Sequence, residues 1–401
     1  MTEHRQVIPD DLLETIRGRA AGYDRENSFF AADLADLRQV GYLTAMVPAE
    51  LGGRGLTLED VCHEQLRLAG AAPATALGVN MHQVWVGVAR TLRAAGDHSL
   101  DWVLEEAAAG EIYAFGISEA GNDLVLFGAT TEARPDGSGG YTMHGTKIFT
   151  SLSPGWTRLG VSGADRSGPD GPHIVFGFLA RDGGGVETRD DWDALGMRAS
   201  ASCTTVLDGA PLPADRVARR IPAGPTREPF VLAIFANFEL LLASVYTGLA
   251  RRALEVAVGT VRRRRSLRND GAPYSNDPDI RWRLADAAIE LDAIYPQIAL
   301  AARDVDDRVD RGDLWMPQLS AVKSRATETA LRVVEKAVRA AGGSSYFTRA
   351  ELSRLYRDVL AGLFHPSDDE SVHGAWANAL LGPVAPWPPA EDATETSGDA
   401  P

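Results

Sequence analysis

The sequence predicts a mainly helical α+β protein in three parts: helices, a β-barrel-like unit, then a helical bundle. Three observations carry that order. Residues 1–111 place apolar side chains at helical spacing between glycine stops. Residues 112–222 break into short β-rich runs cut by Gly, Pro, Asp and Ser, the texture of a barrel or sandwich. Residues 223–385 return to helical patterns, now long. A chain of 401 residues can bury two or three packed units.

FFAADLADLRQVGYL has helical spacing and stops at Gly41, and Thr57 can cap a helix through Leu68, with Asp60 as its capping-box partner. DHSLDWVLEEAAAGE reads as a further short helix. The strands expected next are GGYTMHGTKIFTS, RLGVSG, HIVFGFLA, GVETRDD and CTTVLDGAPL. Pro229 to Ala250 is apolar enough for a membrane span, but Asn237, Glu239 and Ser244 in its interior favour a helix buried in a bundle. In QLSAVKSRATETALRVVEKAVRAAGG, Leu319, Val322, Ala326, Val333, Val334, Ala337 and Val338 fall toward one face, and Gly342 and Gly343 end the helix. Residues 386–401, rich in Pro, acid and Ser/Thr, read as a disordered tail.

Composition narrows the functions. Forty Lys+Arg against 55 Asp+Glu give a net charge of -15, which repels phosphate backbones and anionic lipid. No nucleic-acid or membrane partner is therefore expected, and the run Arg262 to Arg265 is too short to reverse that sign. Cys62 and Cys203 have neither metal nor redox spacing and read as buried thiols. No export signal is recognised at the N-terminus, so a cytoplasmic protein is expected. No G-x-G-x-x-G follows a strand and no Walker A loop occurs, which disfavours Rossmann and P-loop enzymes.

Six stretches, GYLTAMVPAELGGRGLTLED, FGISEAGND, HGTKIFTS, LGMRASASCTTVLDGAPLPADRV, GLARRALEVAVGTVRRRRSL and AAGGSSYF followed by LYRD, occur in this order. Together they resemble the acyl-CoA dehydrogenase superfamily over nearly the whole chain. The resemblance implies an N-terminal helical domain, a central β domain and a C-terminal four-helix bundle. It implies FAD as cofactor, an acyl thioester of CoA or acyl carrier protein as substrate, and a role in lipid metabolism. Electrons would pass to a partner protein or to oxygen, and the assembly would be a homodimer or homotetramer. Carried over by position, Phe115 and Ser118 lie on the flavin-facing strand, and Phe149 and Ser151 on the strand packed against the flavin ring. Arg264 and Ser266 would reach the diphosphate, with Gly342 and Gly343 as a close backbone approach. The short SEAGND loop and the long SLRNDGAPYSNDPDIRW segment depart from the family pattern and leave the thioester carrier open.

The family's proton-abstracting glutamate is missing. Carried over from Asp358, its position is Pro366, and the alternative position on the first long bundle helix is Phe238. A positioned base contributes roughly 10²–10⁴-fold in rate. Three replacements are therefore candidates: Glu239, beside Phe238; His365, before the proline; and His82, in the N-terminal domain. Each has a structural alternative, an ion-paired carboxylate or a hydrogen-bonded core histidine. The two histidines resemble an ending of the dibenzothiophene-monooxygenase branch, which uses reduced flavin and oxygen. Acyl-thioester dehydrogenation, flavin-dependent monooxygenation and a catalytically silent acyl-CoA-binding homologue are the readings that remain.

Overall fold

The computed structural model describes residues 4–384. The expected disordered tail, 386–401, lies outside the described residues. The chain opens with helices α1 (Asp10–Glu26), α2 (Ala31–Gln39), α3 (Leu58–Ala71), α4 (Pro73–Ala94) and α5 (Asp101–Ala109). Thr57 accepts from the Asp60 amide while the Asp60 side chain accepts from the Thr57 amide, so α3 starts with the expected capping box.

Strands β1 (Tyr113–Gly116), β2 (Glu132–Pro135), β3 (Tyr141–Thr150), β4 (Arg158–Asp165), β5 (His173–Ala180), β6 (Val186–Thr188), β7 (Cys203–Leu212) and β8 (Val217–Pro222) follow. They form one mixed sheet in the order β6-β7-β3-β2-β4-β5-β8, with β1 parallel to β4. The pairing runs from β6 to β8 and does not join those two ends among the described residues. The strands expected are present as one mixed sheet that encloses a core of its own, lined by residues such as Met143, Val161, Val175 and Leu212. Texture alone does not reveal closure, which depends on tilt and stagger across all strands. Alternation along β5 separates two cores: Ile174, Phe176 and Phe178 join the helical core, while Val175 and Leu179 face the sheet's own.

The helical part holds α6 (Pro229–Arg263), α7 (Pro278–Asp292), α8 (Tyr295–Asp306), α9 (Trp315–Ala341), α10 (Glu351–Val359) and α11 (Asp369–Leu381). Helix α6, long and apolar enough to cross a membrane, is instead packed among α3, α4 and α9. Its apolar character thus serves burial on all sides. Helix α9 presents the predicted stripe, with Leu319, Val322, Ala326, Val333, Val334 and Ala337 buried and Val338 partly so. Gly342 ends it at φ +76°, a conformation that favours glycine.

Candidate functional site

A cleft of about 250 Å³ opens where β1, the end of β3, the loop 192–202, α4, α6 and the segment after α10 meet. Its lining includes Phe115, Ser118, Phe149, Ser151, His365 and Pro366. Six residues scattered over the sequence are thereby brought to one place. Pairing between β3 and β7 slips between Lys147 and Thr150, and Phe149 takes φ +56°. The irregularity leaves the Phe149 ring 55% exposed and edge-on to Trp192, 6.2 Å between centroids. A positive φ at an aromatic residue is held only where the surroundings demand it. Beside the ring stands a run of hydroxyls: Ser151 Oγ to Ser202 Oγ is 2.7 Å, and Ser202 to Ser200 is 2.7 Å.

Phe115 belongs half to the core, stacked on Phe238 at 5.2 Å and close to Trp85 at 5.1 Å. The cleft floor joins two of the motifs. The Met197 amide donates to Asp358 Oδ1 at 2.6 Å, and a Cβ on Gly196 would lie 2.2 Å from the Arg357 carbonyl. Only glycine fits that approach. Arg357 is held by Asp24 at 2.9 and 2.5 Å and by the Leu195 carbonyl at 2.9 Å. Trp192, Ser202, Met197, Arg357 and Phe364 line the cleft without having been singled out in the sequence. The LGM and RD motifs pointed to this region, but not to which side chains would face inward.

Of the three candidate bases, only His365 lines the cleft. Its Nε2 lies 2.8 Å from the Tyr246 hydroxyl, and burial together with the Lys323 charge pushes its pKa down to about 3. The imidazole is neutral at pH 7. His82 sits in the core beneath: Nδ1 accepts from the Tyr113 amide at 3.1 Å, so Nε2–H donates to the Leu43 carbonyl at 2.7 Å. With both nitrogens occupied and a pKa pushed by burial to about 4, it fastens α4 to β1 and to the turn after α2.

Glu239 lies to one side, on a small cavity of about 20 Å³ that shares Phe115, Ser118, Phe238 and Pro366 with the cleft. Its Oε1 accepts from Ser367 Oγ at 2.5 Å, and Oε2 is buried without a partner among the described residues. Burial pushes its pKa up to about 7, opposed by the Lys323 charge and the Ser367 hydrogen bond. The bundle arginine considered as its partner is replaced by a lysine and a serine.

The residues expected at a diphosphate lie elsewhere. Arg264 lines a second cleft of about 560 Å³ with Arg263, Thr260, Ser344 and Ser345. Its guanidinium donates to the Ala341 carbonyl and lies 4.8 Å from the centroid of the Tyr274 ring. Gly342 leaves room for it, since a Cβ there would come within 2.8 Å of Nη1. Gly343 begins the turn that follows, and Ser266 is buried in a turn closed by its backbone against Ala272 and Gly271, outside the lining of this cleft.

The first cleft fits a flavin. It offers an exposed aromatic face at Phe149, further aromatic walls at Phe115 and Trp192, and a hydroxyl edge at Ser118, Ser151 and Ser202. Flat heteroaromatic rings take such stacking faces and edge hydrogen bonds.

Known proteins agree with this geometry. Residues 240–369 match the family described as acyl-CoA dehydrogenase, C-terminal domain. L-evernosamine nitrososynthase from Micromonospora sp. is 31% identical over 88% of this chain and 84% of its own length. Dibenzothiophene monooxygenase from Rhodococcus erythropolis is 27% identical over 90% and 89%. The solved structure of KijD3 in complex with FMN and dTDP-3-amino-2,3,6-trideoxy-4-keto-3-methyl-D-glucose superposes with a TM-score of 0.82 at 29% identity. That superposition covers 93% of this chain and 91% of KijD3. The chain belongs to the acyl-CoA dehydrogenase superfamily, whose members are flavin-dependent oxidoreductases.

Proposed function

We infer that the protein is a flavin-dependent monooxygenase that oxidises an amine nitrogen, with an amino sugar as the substrate class. One observation carries the reading. Among the described residues the cleft wall holds no carboxylate, and Pro366 and a neutral His365 stand where a dehydrogenase would keep its base. Abstraction of an α-proton from an acyl thioester needs a base within hydrogen-bond reach. Attack by an amine lone pair on an activated oxygen needs none. It needs an uncharged amine, a dry wall and a hydrogen bond near the transferring atom. Leu77, Met81, Phe238 and Phe364 supply the apolar wall. His365, fixed by Tyr246, supplies the polar group without adding a charge.

The relatives support this choice. Nitrososynthase is the name carried by the relative at 31% identity, and KijD3 was solved with FMN and a dTDP-linked amino sugar. FMN is accordingly the first cofactor to test, with the expected FAD beside it. Phe115, Phe149, Trp192 and the hydroxyls of Ser118, Ser151 and Ser202 would hold its ring. Reduced flavin bound there would supply two electrons and activate dioxygen, one oxygen atom passing to nitrogen and the other leaving as water. The Arg264 cleft is read as a site for the diphosphate that FAD carries and FMN lacks, offered to the flavin of a neighbouring copy in a homo-oligomer.

Acyl-thioester dehydrogenation stays as a second reading because of Glu239, whose pKa of about 7 suits a base. The test is anaerobic mixing of flavin-loaded protein with a panel of acyl-CoAs. Unchanged flavin absorbance is the expected result, and bleaching would restore the dehydrogenase reading.

A further inference from the structure

The segment linking α10 to α11 is fastened by helices to which it does not belong. Lys323, on α9, is 1% exposed. Its ammonium donates to the carbonyls of Gly362 at 3.2 Å, His365 at 2.9 Å and Ser367 at 3.2 Å. Three donors meet three acceptors, which satisfies the group completely. Ser367 takes φ +58°, a conformation that a serine keeps only where neighbours hold it. Its hydroxyl donates to Glu239 on α6 and lies 2.9 Å from Ser320 Oγ on α9. His365 is held twice, through its carbonyl by Lys323 and through Nε2 by Tyr246.

A buried ammonium is tolerated only where opposite charge and hydrogen bonds compensate its lost hydration. Glu239 on α6 supplies the largest opposing charge, with Asp368 at the start of α11 and Glu328 on α9 acting in the same sense. The carboxylate therefore already has an occupation.

We propose that Lys323 is a positioning residue: by clamping three carbonyls of residues 362–367 it sets the wall that His365 and Pro366 present to the flavin cleft. The proposal rests on reading that cleft as the flavin site, but not on which substrate is oxidised there.

The test is amide hydrogen exchange and visible circular dichroism on flavin-loaded protein, comparing the wild type with Glu239→Gln, Lys323→Arg and the double variant Lys323→Met/Glu239→Gln. The double variant removes both charges together and so leaves no unpaired buried ion. Its amides in residues 360–369 should exchange at least about tenfold faster, with a changed flavin dichroism. Glu239→Gln alone keeps the clamp and should stay near the wild-type rate, and Lys323→Arg should recover part of the protection. Wild-type exchange in the double variant would overturn the clamp. Equal loosening by Glu239→Gln alone would also overturn it, by assigning the effect to the charge pair. A loosened segment with unaltered flavin dichroism would sever the clamp from the cleft. Amine oxidation does not enter this readout, so the functional reading can fail while the clamp stands.

Discussion

Ser367 Oγ donates to Glu239 Oε1 across 2.5 Å, and this bond ties the α6 carboxylate to the residue immediately after Pro366. Pro366, at the position a dehydrogenase would use for its base, and Glu239, the carboxylate nominated to replace that base, are thus linked through one hydrogen bond. Its function in this account is to hold the cleft wall.

Glu239 gives the first prediction. Its folded pKa of about 7 stands above its ordinary 4.5, so its contribution to stability is fully present below pH 4.5 and lost as pH rises through 7. Glu239→Gln should therefore gain stability relative to the wild type as pH rises from 4.5 to 8. Urea unfolding at the two pH values measures it.

The buried pair in the sheet predicts the opposite sign. Lys147 Nζ donates to Glu119 Oε1 at 2.7 Å, and Glu119 also accepts from the Thr130 and Thr131 amides. Against the penalty of burial, these partners push its pKa down to about 2. That contribution is present above pH 4.5 and lost as pH falls toward 2. Glu119→Gln should destabilise by about 3 kcal/mol at pH 7, and the deficit should close in acid. Thermal melts at pH 7 and pH 3 would show the convergence.

His365 and Tyr246 should act as one unit. His365→Asn should lower amine oxidation roughly 10²-fold, the scale expected for a preorganised polar group. Tyr246→Phe removes one hydrogen bond to the imidazole and should cost about fivefold. The double variant should be little worse than His365→Asn alone, and additive losses in steady-state rates would count against coupling.

Arg264 separates two flavins. FAD carries a diphosphate that FMN lacks, so Arg264→Ala should weaken FAD by about 10- to 150-fold, the equivalent of a charged hydrogen bond, and FMN much less. Fluorescence titration of both flavins gives the comparison. Equal losses would place Arg264 at the phosphate they share, and no loss would remove it from flavin binding.

Much of the fold was legible in the sequence because its signals are local. The Thr57–Asp60 capping box, the stop at Gly342 and the apolar stripe of α9 each depend on neighbours a turn or two away. Four residues proposed to face the flavin, Phe115, Ser118, Phe149 and Ser151, were also within reach, since the order of motifs pointed to them and they line one cleft. What escaped depends on contacts distant in sequence. His82 was a candidate base with a hydrogen-bonded core histidine as its alternative, and only the Tyr113 amide and the Leu43 carbonyl, both distant in sequence, decide for the core. Lys323 was one polar residue in a helical stripe, and nothing near it announced three carbonyls some forty residues away.

The most direct test of the central claim is isotope transfer. Protein loaded with reduced FMN is mixed with a dTDP-linked amino sugar under ¹⁸O₂, and the products are read by mass spectrometry. The account predicts ¹⁸O on the amine nitrogen, in step with flavin reoxidation and dependent on His365. It would be contradicted by a substrate that stays unlabelled while acyl-CoA, added without oxygen, bleaches the oxidised flavin and leaves as an α,β-unsaturated thioester.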